Sequence, residues 1–321
     1  MRLLKLVPAD THVNFIGARR VAVIFSAAAM LASVALFFVL GLNFGIDFRG
    51  GTTMIVQTPQ PVAIADYRVA VRDLGVGDVQ VTEISATGVT DKNQAMVRIV
   101  EQGDDPEIQA DAIATVEDAL EEAFEGLTVL SVESVGGKVS NELILAGFMA
   151  VFFAVLGVMV YVWLRFEWQF SVAAVASLVH DVIVTIGLFS LLQIEFNLAI
   201  VAAILTIIGY SLNDTVIVFD RIRENLRKYK KMELPELINQ SVNETLSRTV
   251  VTSGTTLLAL FALYIIGGNV LSGFTFAMIW GVVIGTYSSI FVAGLVVKWL
   301  GVDRSDKPSS KAGTQFADID A

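Results

Sequence analysis

Three charged residues interrupt the long apolar stretches of this sequence: Asp181, Asp214 and Arg248. Because charge at membrane depth is costly, such residues usually face the interior of a helix bundle and serve ion or proton movement. A nearby arginine favours the ionised form of a carboxyl group, whereas apolar surroundings favour the neutral form, so a carboxyl group between the two can exchange a proton. We predict proton coupling at Asp214 and Arg248 and extend it to Asp181. A static ion pair between Asp214 and Arg248 is the alternative.

Other polar residues and two glycines stand close to these charges. His180 precedes Asp181, but adjacent helical side chains point about 100° apart, so we interpret His180 as interfacial or structural. Six hydroxyl residues beside Arg248 predict either a hydrated relay or hydrogen bonds to their own helix. They are Ser247, Thr249, Thr252, Ser253, Thr255 and Thr256. Gly281 and Gly285 form a G-x-x-x-G pair, which indicates close helix packing.

Residue types and spacing exclude several other kinds of site. The sequence contains no cysteine and only two histidines, His12 and His180, so thiol chemistry and a histidine-rich metal centre are excluded. Gly136-Gly137-Lys138 looks like the end of a phosphate-binding loop, but Val139 stands where serine or threonine is required. We expect no cofactor and no enzymatic activity, with protons as the coupling ion.

The sequence is 55% hydrophobic and contains six apolar stretches long enough to cross a bilayer, which takes about 20 helical residues. They lie at 21–44, 142–164, 171–192, 197–219, 249–267 and 270–298. Since a bilayer offers no water to the backbone, we predict that all six are α-helices. The first exceeds the apolar run of a signal peptide, about 7–15 residues, and is predicted to be a retained helix.

Lysine and arginine cluster before the first span, after the fourth and after the last, and are absent from the links around Gln193–Asn197 and Gly267–Val270. The positive-inside rule therefore predicts that both termini are cytoplasmic and that segment 45–140 is external. The basic segment 220–247 is predicted to be a cytoplasmic loop whose charge sets the orientation. Binding of anionic lipid or nucleic acid to this loop is the alternative, although we expect no nucleic-acid partner.

Segment 45–140 changes from continuous to alternating hydrophobicity. Its pattern predicts strands near 52–58, 79–85, 94–101 and 127–135, and helices near 62–74 and 106–126. This order is the β-α-β-β-α-β arrangement of ferredoxin-like folds. The predicted organisation is listed in chain order: an N-terminal segment 1–20, a first helix 21–44, the external domain 45–140, five further helices within 141–300, and a disordered polar tail 301–321.

Several motifs resemble those of one family. Directly after the first span, Gly45-Ile46-Asp47-Phe48-Arg49-Gly50-Gly51 resembles the hallmark motif of the SecD/SecF protein-export family. Further segments resemble the same family in order and spacing: Val179–Asp181, Gly209–Thr215, Asp220–Asn225, Thr245–Thr249 and Gly285–Ser289. The resemblance covers nearly the whole chain before the polar tail.

The resemblance implies one half of a pseudo-symmetric, twelve-helix transporter of the bacterial inner membrane, related to the resistance–nodulation–division superfamily. Such a subunit pairs with SecD and uses the proton motive force to complete preprotein export through the SecYEG channel, with a YajC-like protein as a further partner. The resemblance also implies proton passage at Asp214 and Arg248. Alternatives are a proton-driven exporter of lipids or small molecules, a scaffold without coupling, and an intramembrane aspartyl protease, whose Gly-x-Gly-Asp signature is absent before Asp214.

The resemblance leaves the role of the hallmark motif open. Gly45, Gly50 and Gly51 are expected to form a rigid connection between the first helix and the external domain. Asp47 and Arg49 either set the geometry of this junction or bind another group.

Overall fold

A computed structural model describes residues 11–83, 93–103 and 106–302. Its elements are, in chain order, α1 (Arg19–Leu40), α2 (Ile46–Arg49), β1 (Gly51–Gln57), α3 (Ile64–Ala70), β2 (Val79–Glu83), β3 (Gln94–Ile99), α4 (Pro106–Ala123), β4 (Thr128–Val135), α5 (Gly137–Arg165), α6 (Trp168–Leu192), α7 (Leu198–Lys228), α8 (Leu234–Ile266), α9 (Gly268–Ser288), a π-helical turn (Ser289–Ala293) and α10 (Gly294–Leu300). The predicted tail beyond Val302, the first ten residues and the last two residues of the strand predicted at 79–85 lie outside this description.

Among the described residues, six helical stretches are long and apolar enough to cross a membrane, which confirms the predicted polytopic fold. They are α1, α5, α6, α7, α8 and the composite stretch Leu271–Leu300. The buried helices are α6, α7 and α9, whereas α1, α5 and α8 expose most of their apolar side chains. Since a bilayer solvates apolar surface as well as protein does, these exposed faces suit a membrane or a partner helix.

The predicted loop at 220–247 is largely helical, which corrects its assignment. Helix α7 continues to Lys228 and α8 begins at Leu234, so five residues connect them. Arg221 forms ion pairs of 2.6 Å with Glu224 and with Glu244 on α8, and Asn225 Nδ2 donates to Ser241 Oγ at 3.0 Å. These contacts hold the two helix ends side by side, so the basic residues belong to a helical hairpin rather than a loop.

Residues 51–135 form a small α/β domain, here called the sheet domain. Its four described strands lie in the order β2-β3-β1-β4, and all neighbours are antiparallel. Met54, Val56 and Val97 point from the sheet into a core that is completed by Val116 and Leu120 of α4. The β-α-β-β-α-β order and this strand order confirm the ferredoxin-like prediction.

The two glycines of the G-x-x-x-G pair lie at the contact of α9 with α7. A Cβ atom on Gly281 would overlap the side chain of Ile207, and one on Gly285 would lie 3.1 Å from Ser211 Cβ. The prediction of close helix packing is therefore confirmed. This contact brings the end of α9 to the middle of α7.

We predict that Gly281→Ala destabilises the bundle by about 1–3 kcal/mol, because Ile207 is β-branched and cannot easily rotate away from the added methyl group. Gly254→Ala on α8 is the matched control, since nothing lies within 4 Å of its added Cβ. The control should be neutral or stabilising by up to about 1 kcal/mol, as alanine favours helix over glycine. Thermal unfolding of the purified protein in detergent, followed by tryptophan fluorescence, measures both. Equal midpoints for the two variants would contradict the close contact.

Candidate functional site

Asp181 lies at the centre of the bundle and connects its three buried helices. The residue is on α6 and is 1% exposed. Its Oδ2 accepts hydrogen bonds of 2.7 Å from Ser211 Oγ on α7 and of 2.7 Å from Ser288 Oγ at the end of α9. Because a buried carboxylate without donors is very unfavourable, these two serines fix both the carboxylate and the register of three helices.

His180 is buried and contacts Asp181, so of its two interpretations the structural one holds and the interfacial one does not. Its Nδ1 lies 3.0 Å from Asp181 Oδ1, and its ring lies 6.1 Å from that of Tyr287. The Tyr287 hydroxyl group in turn lies 2.9 Å from Ser26 Oγ on α1. Adjacent side chains point apart on a helix, but here they touch each other directly. A chain of contacts therefore extends from α1 to Asp181, in which the step from Tyr287 to His180 is a ring contact and not a hydrogen bond.

Asp214 is equally buried but is less fully bonded. Its Oδ1 accepts a long hydrogen bond of 3.4 Å from Asn213 Nδ2, and its Oδ2 makes none within the described chain. The hydroxyl groups of Thr215 and of Thr249, on α8, are also buried without a partner among the described residues. Since buried polar groups nearly always find partners, each of these three groups is open to a further hydrogen bond.

Arg248 lies on α8 and is exposed on the bundle surface. No ion pair of 4 Å or less joins Arg248 to Asp214, and none of the described acidic residues pairs with Arg248. The structure therefore does not contain the static ion pair that was the alternative to proton coupling.

The hydroxyl residues near Arg248 divide into two groups. Thr255 Oγ1 donates to Val251 O at 3.0 Å and Thr256 Oγ1 donates to Thr252 O at 3.0 Å, so both bond within their own helix. Ser253 instead lies 2.7 Å from Thr286 Oγ1 on α9 and accepts a 3.4 Å hydrogen bond from the Tyr210 hydroxyl group on α7. Hydrogen bonds within their own helix therefore hold for Thr255 and Thr256, whereas Ser253 joins α8 to α7 and α9 directly. A hydrated relay stays a prediction.

The hallmark motif forms a rigid junction between the sheet domain and the bundle. Asp47 Oδ2 accepts a 2.8 Å hydrogen bond from the backbone N–H of Leu198, the first residue of α7. A carboxylate at a helix N-terminus satisfies an otherwise free N–H and interacts favourably with the helix dipole. Two backbone hydrogen bonds fix the same contact, from Gly45 N to Phe196 O at 2.9 Å and from Phe196 N to Asn43 O at 2.7 Å. Asp47 therefore sets the geometry of the junction.

The glycines of the motif are required by the backbone. Gly50 and Gly51 have φ angles of 72° and 111°, which side chains other than glycine rarely adopt. A Cβ atom on Gly51 would also overlap the carbonyl oxygen of Ile99 on the neighbouring strand. The turn between α2 and β1 therefore depends on both glycines.

Two residues at the end of β3 connect the sheet domain to the bundle a second time. Glu101 Oε1 accepts a hydrogen bond from the backbone N–H of Gly137, the first residue of α5. Arg98 pairs with Glu195 in the α6–α7 link at 2.9 Å. The sheet domain thus contacts the N-terminus of α5 through Glu101 and the α6–α7 link through Arg98.

Sequence reasoning identified the charges but missed most of their partners. Ser211 and Ser288 lie within two segments that resemble family motifs, Gly209–Thr215 and Gly285–Ser289. Their position in these motifs is the signal that could have identified them as functional residues. Glu101 and Arg98 had no such signal, because their contacts are between distant parts of the chain. Within the described residues, no group of three or more His, Cys, Asp and Glu residues could hold a metal ion.

Two family models match the chain. One, described as "Protein export membrane protein SecD/SecF, C-terminal", matches residues 115–303, and another, described as "SecD/SecF GG Motif", matches residues 35–62. The first match is more than half of the chain and includes Asp181, Asp214 and Arg248. The second includes the junction around Asp47.

Curated relatives are similar over almost the whole chain. A protein translocase subunit SecF from Cereibacter sphaeroides is 53% identical over 99% of each chain, and one from Vibrio alginolyticus is 37% identical over 99% of each. A protein translocase subunit SecDF from Brucella abortus is 42% identical over 94% of this chain, which covers 39% of that longer protein.

A solved structure shares the fold. The crystal structure of SecDF from Thermus thermophilus, described as a translocon-associated membrane protein, superposes with a TM-score of 0.82 at 34% identity. The match covers 92% of this chain and 39% of that chain. The bundle and its attached sheet domain therefore correspond to one part of a longer membrane protein.

We predict that Ser288→Ala lowers stability by about 1–3 kcal/mol, because Asp181 loses one of its two serine donors in a buried site. Ser289→Ala is the matched control, since Ser289 is as buried but donates to Thr286 O of its own helix at 3.0 Å. Combining each change with Asp181→Asn in thermal unfolding should give non-additive effects for Ser288 and additive effects for Ser289. Additivity at both positions would show that Asp181 does not join the helices.

Proposed function

This chain belongs to the SecD/SecF family of protein export membrane proteins, and we propose that it uses the proton motive force to complete preprotein export. It serves as an auxiliary subunit of the Sec translocase, as the names of its relatives indicate. In this proposal the chain lies in the bacterial inner membrane with both termini cytoplasmic and the sheet domain in the periplasm. Its partners are SecD, the SecYEG channel, a YajC-like subunit and the preprotein.

The partnership with SecD is supported by the SecDF relatives, in which a similar region makes up 39% of one longer chain. A polar surface stripe on α7 and α8 offers the corresponding interface. Thr206, Gly209 and Asn213 are exposed on one face of α7, and Arg248 is exposed on α8 beside it. Because an arginine facing lipid is costly, a second helix bundle rather than lipid would cover this stripe.

Proton binding at Asp214 is the proposed coupling step. A proton that enters from the periplasm would bind the free Oδ2, which makes no hydrogen bond in the described structure. Neutral Asp214 would no longer attract Arg248, and release of the proton to the cytoplasm would restore that attraction. One proton crossing about 100 mV supplies about 2.3 kcal/mol, which can shift a two-state equilibrium about 50-fold.

Helix α7 is the proposed connection from this carboxyl group to the preprotein. It carries Asp214 near its middle, and its first residue is held by Asp47 of the junction. A shift of α7 would therefore move the sheet domain, which would act on the emerging preprotein and limit its return. One observation carries the proposal. The same helix, α7, holds a buried, incompletely bonded carboxyl group and is bound at its first residue to the junction that leads to the sheet domain.

We predict that Asp214→Asn abolishes the gradient-dependent part of late preprotein translocation, because an amide cannot exchange the proton. The measurement uses inverted membrane vesicles with SecD and SecYEG, after ATP-driven initiation, with and without a proton gradient. The control is Asp220→Asn on the same helix, since Asp220 is exposed and pairs with Arg165 at 3.0 Å. The control should keep the full response to the gradient.

An unchanged gradient response in Asp214→Asn, with the complex intact, would remove Asp214 from the proton path. If wild type itself shows no gradient-dependent component, the chain acts as a scaffold. If the gradient drives lipid or small-molecule release instead, the exporter alternative is correct.

Transmission through the junction predicts a difference between two substitutions of Asp47. Asp47→Ala removes the acceptor of the Leu198 N–H, worth about 0.5–2 kcal/mol, while the N-cap residue Asn197 remains, and it should reduce the gradient-dependent component. Asp47→Asn should keep most of it, because asparagine caps helices about as well as aspartate. Hydrogen exchange at the amide of Leu198 should increase in the alanine variant only. Equal loss in both variants would point to the charge of Asp47 rather than its cap.

A further inference from the structure

An apolar groove of about 300 Å³ lies between α2, α5, α6 and α7, at the end of the bundle that carries the sheet domain. Its walls are almost entirely hydrocarbon. They are formed by Phe44, Phe48, Ile144, Gly147, Phe148, Val151, Val182, Ile186, Phe196, Val201 and Ile204. Proton coupling at Asp214 uses none of these side chains.

The groove faces the surroundings of the bundle at membrane depth. Ile144, Phe148 and Val151 line it from α5, a helix that exposes most of its apolar residues. At 1.5 Å per residue, these positions lie about 9–20 Å along the helix from Lys138. The groove therefore extends over the depth of one hydrocarbon leaflet, which is half of about 30 Å.

Two basic residues stand above the groove. Arg49 follows Phe48 at the end of α2, and Lys138 lies in the first turn of α5, and both side chains are exposed. The two elements are in contact there, since a Cβ atom on Gly50 would lie 3.2 Å from the Cα atom of Gly137. Ser140 Oγ also donates to Ile46 O at 3.3 Å. The two cations thus sit on adjoining backbone at the headgroup level.

These cations are not neutralised within the protein. Across the described chain, neither Arg49 nor Lys138 has an acidic residue within ion-pair distance. The nearby carboxylates are engaged elsewhere, because Asp47 holds the N–H of Leu198 and Glu101 holds the N–H of Gly137. Glu142, one turn after Lys138 on α5, is exposed and forms no ion pair with it.

We propose that this groove and its two cations form a binding site for an anionic phospholipid. An acyl chain would fill the groove, and the phosphate group would bind Arg49 and Lys138. Arginine and lysine are the usual partners of phosphate groups, the guanidinium as a fork and the ammonium as a point charge. Asp47 of the hallmark motif already has a structural role, since it binds the N–H of Leu198. Phosphate binding would give a role to Arg49, which has no ion pair within the described chain.

The test uses the full chain in complex with SecD, purified in mild detergent and delipidated. Native mass spectrometry follows binding of phosphatidylglycerol, phosphatidylcholine and glycerol phosphate to this complex. We expect one tightly bound phosphatidylglycerol molecule. Combining Arg49→Gln with Lys138→Gln should weaken it about 25-fold, about 5-fold for each charge. The control combines Arg72→Gln with Lys231→Gln, two exposed residues away from the groove, and should leave the affinity unchanged.

A second pair of variants tests the acyl chain. Gly147→Leu should fill the groove and displace the lipid, and its Cβ atom would meet Val201 only at an ordinary 3.6 Å. Gly157→Leu on the same helix is the control, because nothing lies within 4 Å of its added Cβ. The control should bind phosphatidylglycerol as wild type does. Thermal unfolding establishes that all variants are folded.

Four outcomes would overturn the proposal. Equal affinities for phosphatidylglycerol and phosphatidylcholine, unchanged by the glutamine variants, would remove the headgroup site. Equal binding of glycerol phosphate would indicate a free phosphate site without an acyl chain. Unchanged binding in Gly147→Leu would exclude the groove, and a crosslink from Phe148 to SecD would show that a partner helix covers it. None of these results depends on proton coupling, which Asp214→Asn tests separately.

Discussion

The hydrocarbon interior supplies no hydrogen bonds, so a polar side chain within the bundle is stabilised chiefly by partners in the protein. Asp181 finds its partners in two serine donors, Ser211 of α7 and Ser288 of α9. These two hydrogen bonds hold α6, α7 and α9 together. Ser288 reaches Asp181 only because α9 lies close to α7, and Gly281 and Gly285 permit that distance. The small residues of α9 therefore permit the hydrogen bond from Ser288 to Asp181 on α6, in addition to allowing α9 and α7 to pack closely.

The attachment of the sheet domain also depends on polar groups that find their partners within the protein. The N-termini of α5 and α7 each present free N–H groups, and carboxylates from the junction and from the end of β3 accept from them. Charge at a helix N-terminus also interacts with the helix dipole, so each contact is stronger than a neutral hydrogen bond. Gly50 and Gly51 allow the sharp turn that places β1 beside both helices. The result is a connection through two helices, which transmits a shift better than a single flexible linker.

The elements of this fold were largely predictable from the sequence, whereas contacts between them were not. Long apolar runs admit only membrane helices, and strict alternation in 94–99 admits only a strand, so both were identified correctly. The segment 220–247 was wrongly predicted to be a loop because its many lysines and arginines dominate its composition. It also contains apolar residues such as Leu237 and Ile238, which are buried. The partners of Asp181 depend on the rotation and register of three helices, which a single sequence does not specify.

The two buried aspartates differ in a way that separates their roles. Asp181 already uses both oxygens, one toward His180 and one toward two serines, so a proton added to it would compete with existing hydrogen bonds. Asp214 keeps Oδ2 free of hydrogen bonds in the described chain, and a proton there disturbs no contact. No described ion pair fixes Arg248 to it. The proposed exchange of a proton would therefore disturb fewer hydrogen bonds at Asp214 than at Asp181, which connects the three buried helices.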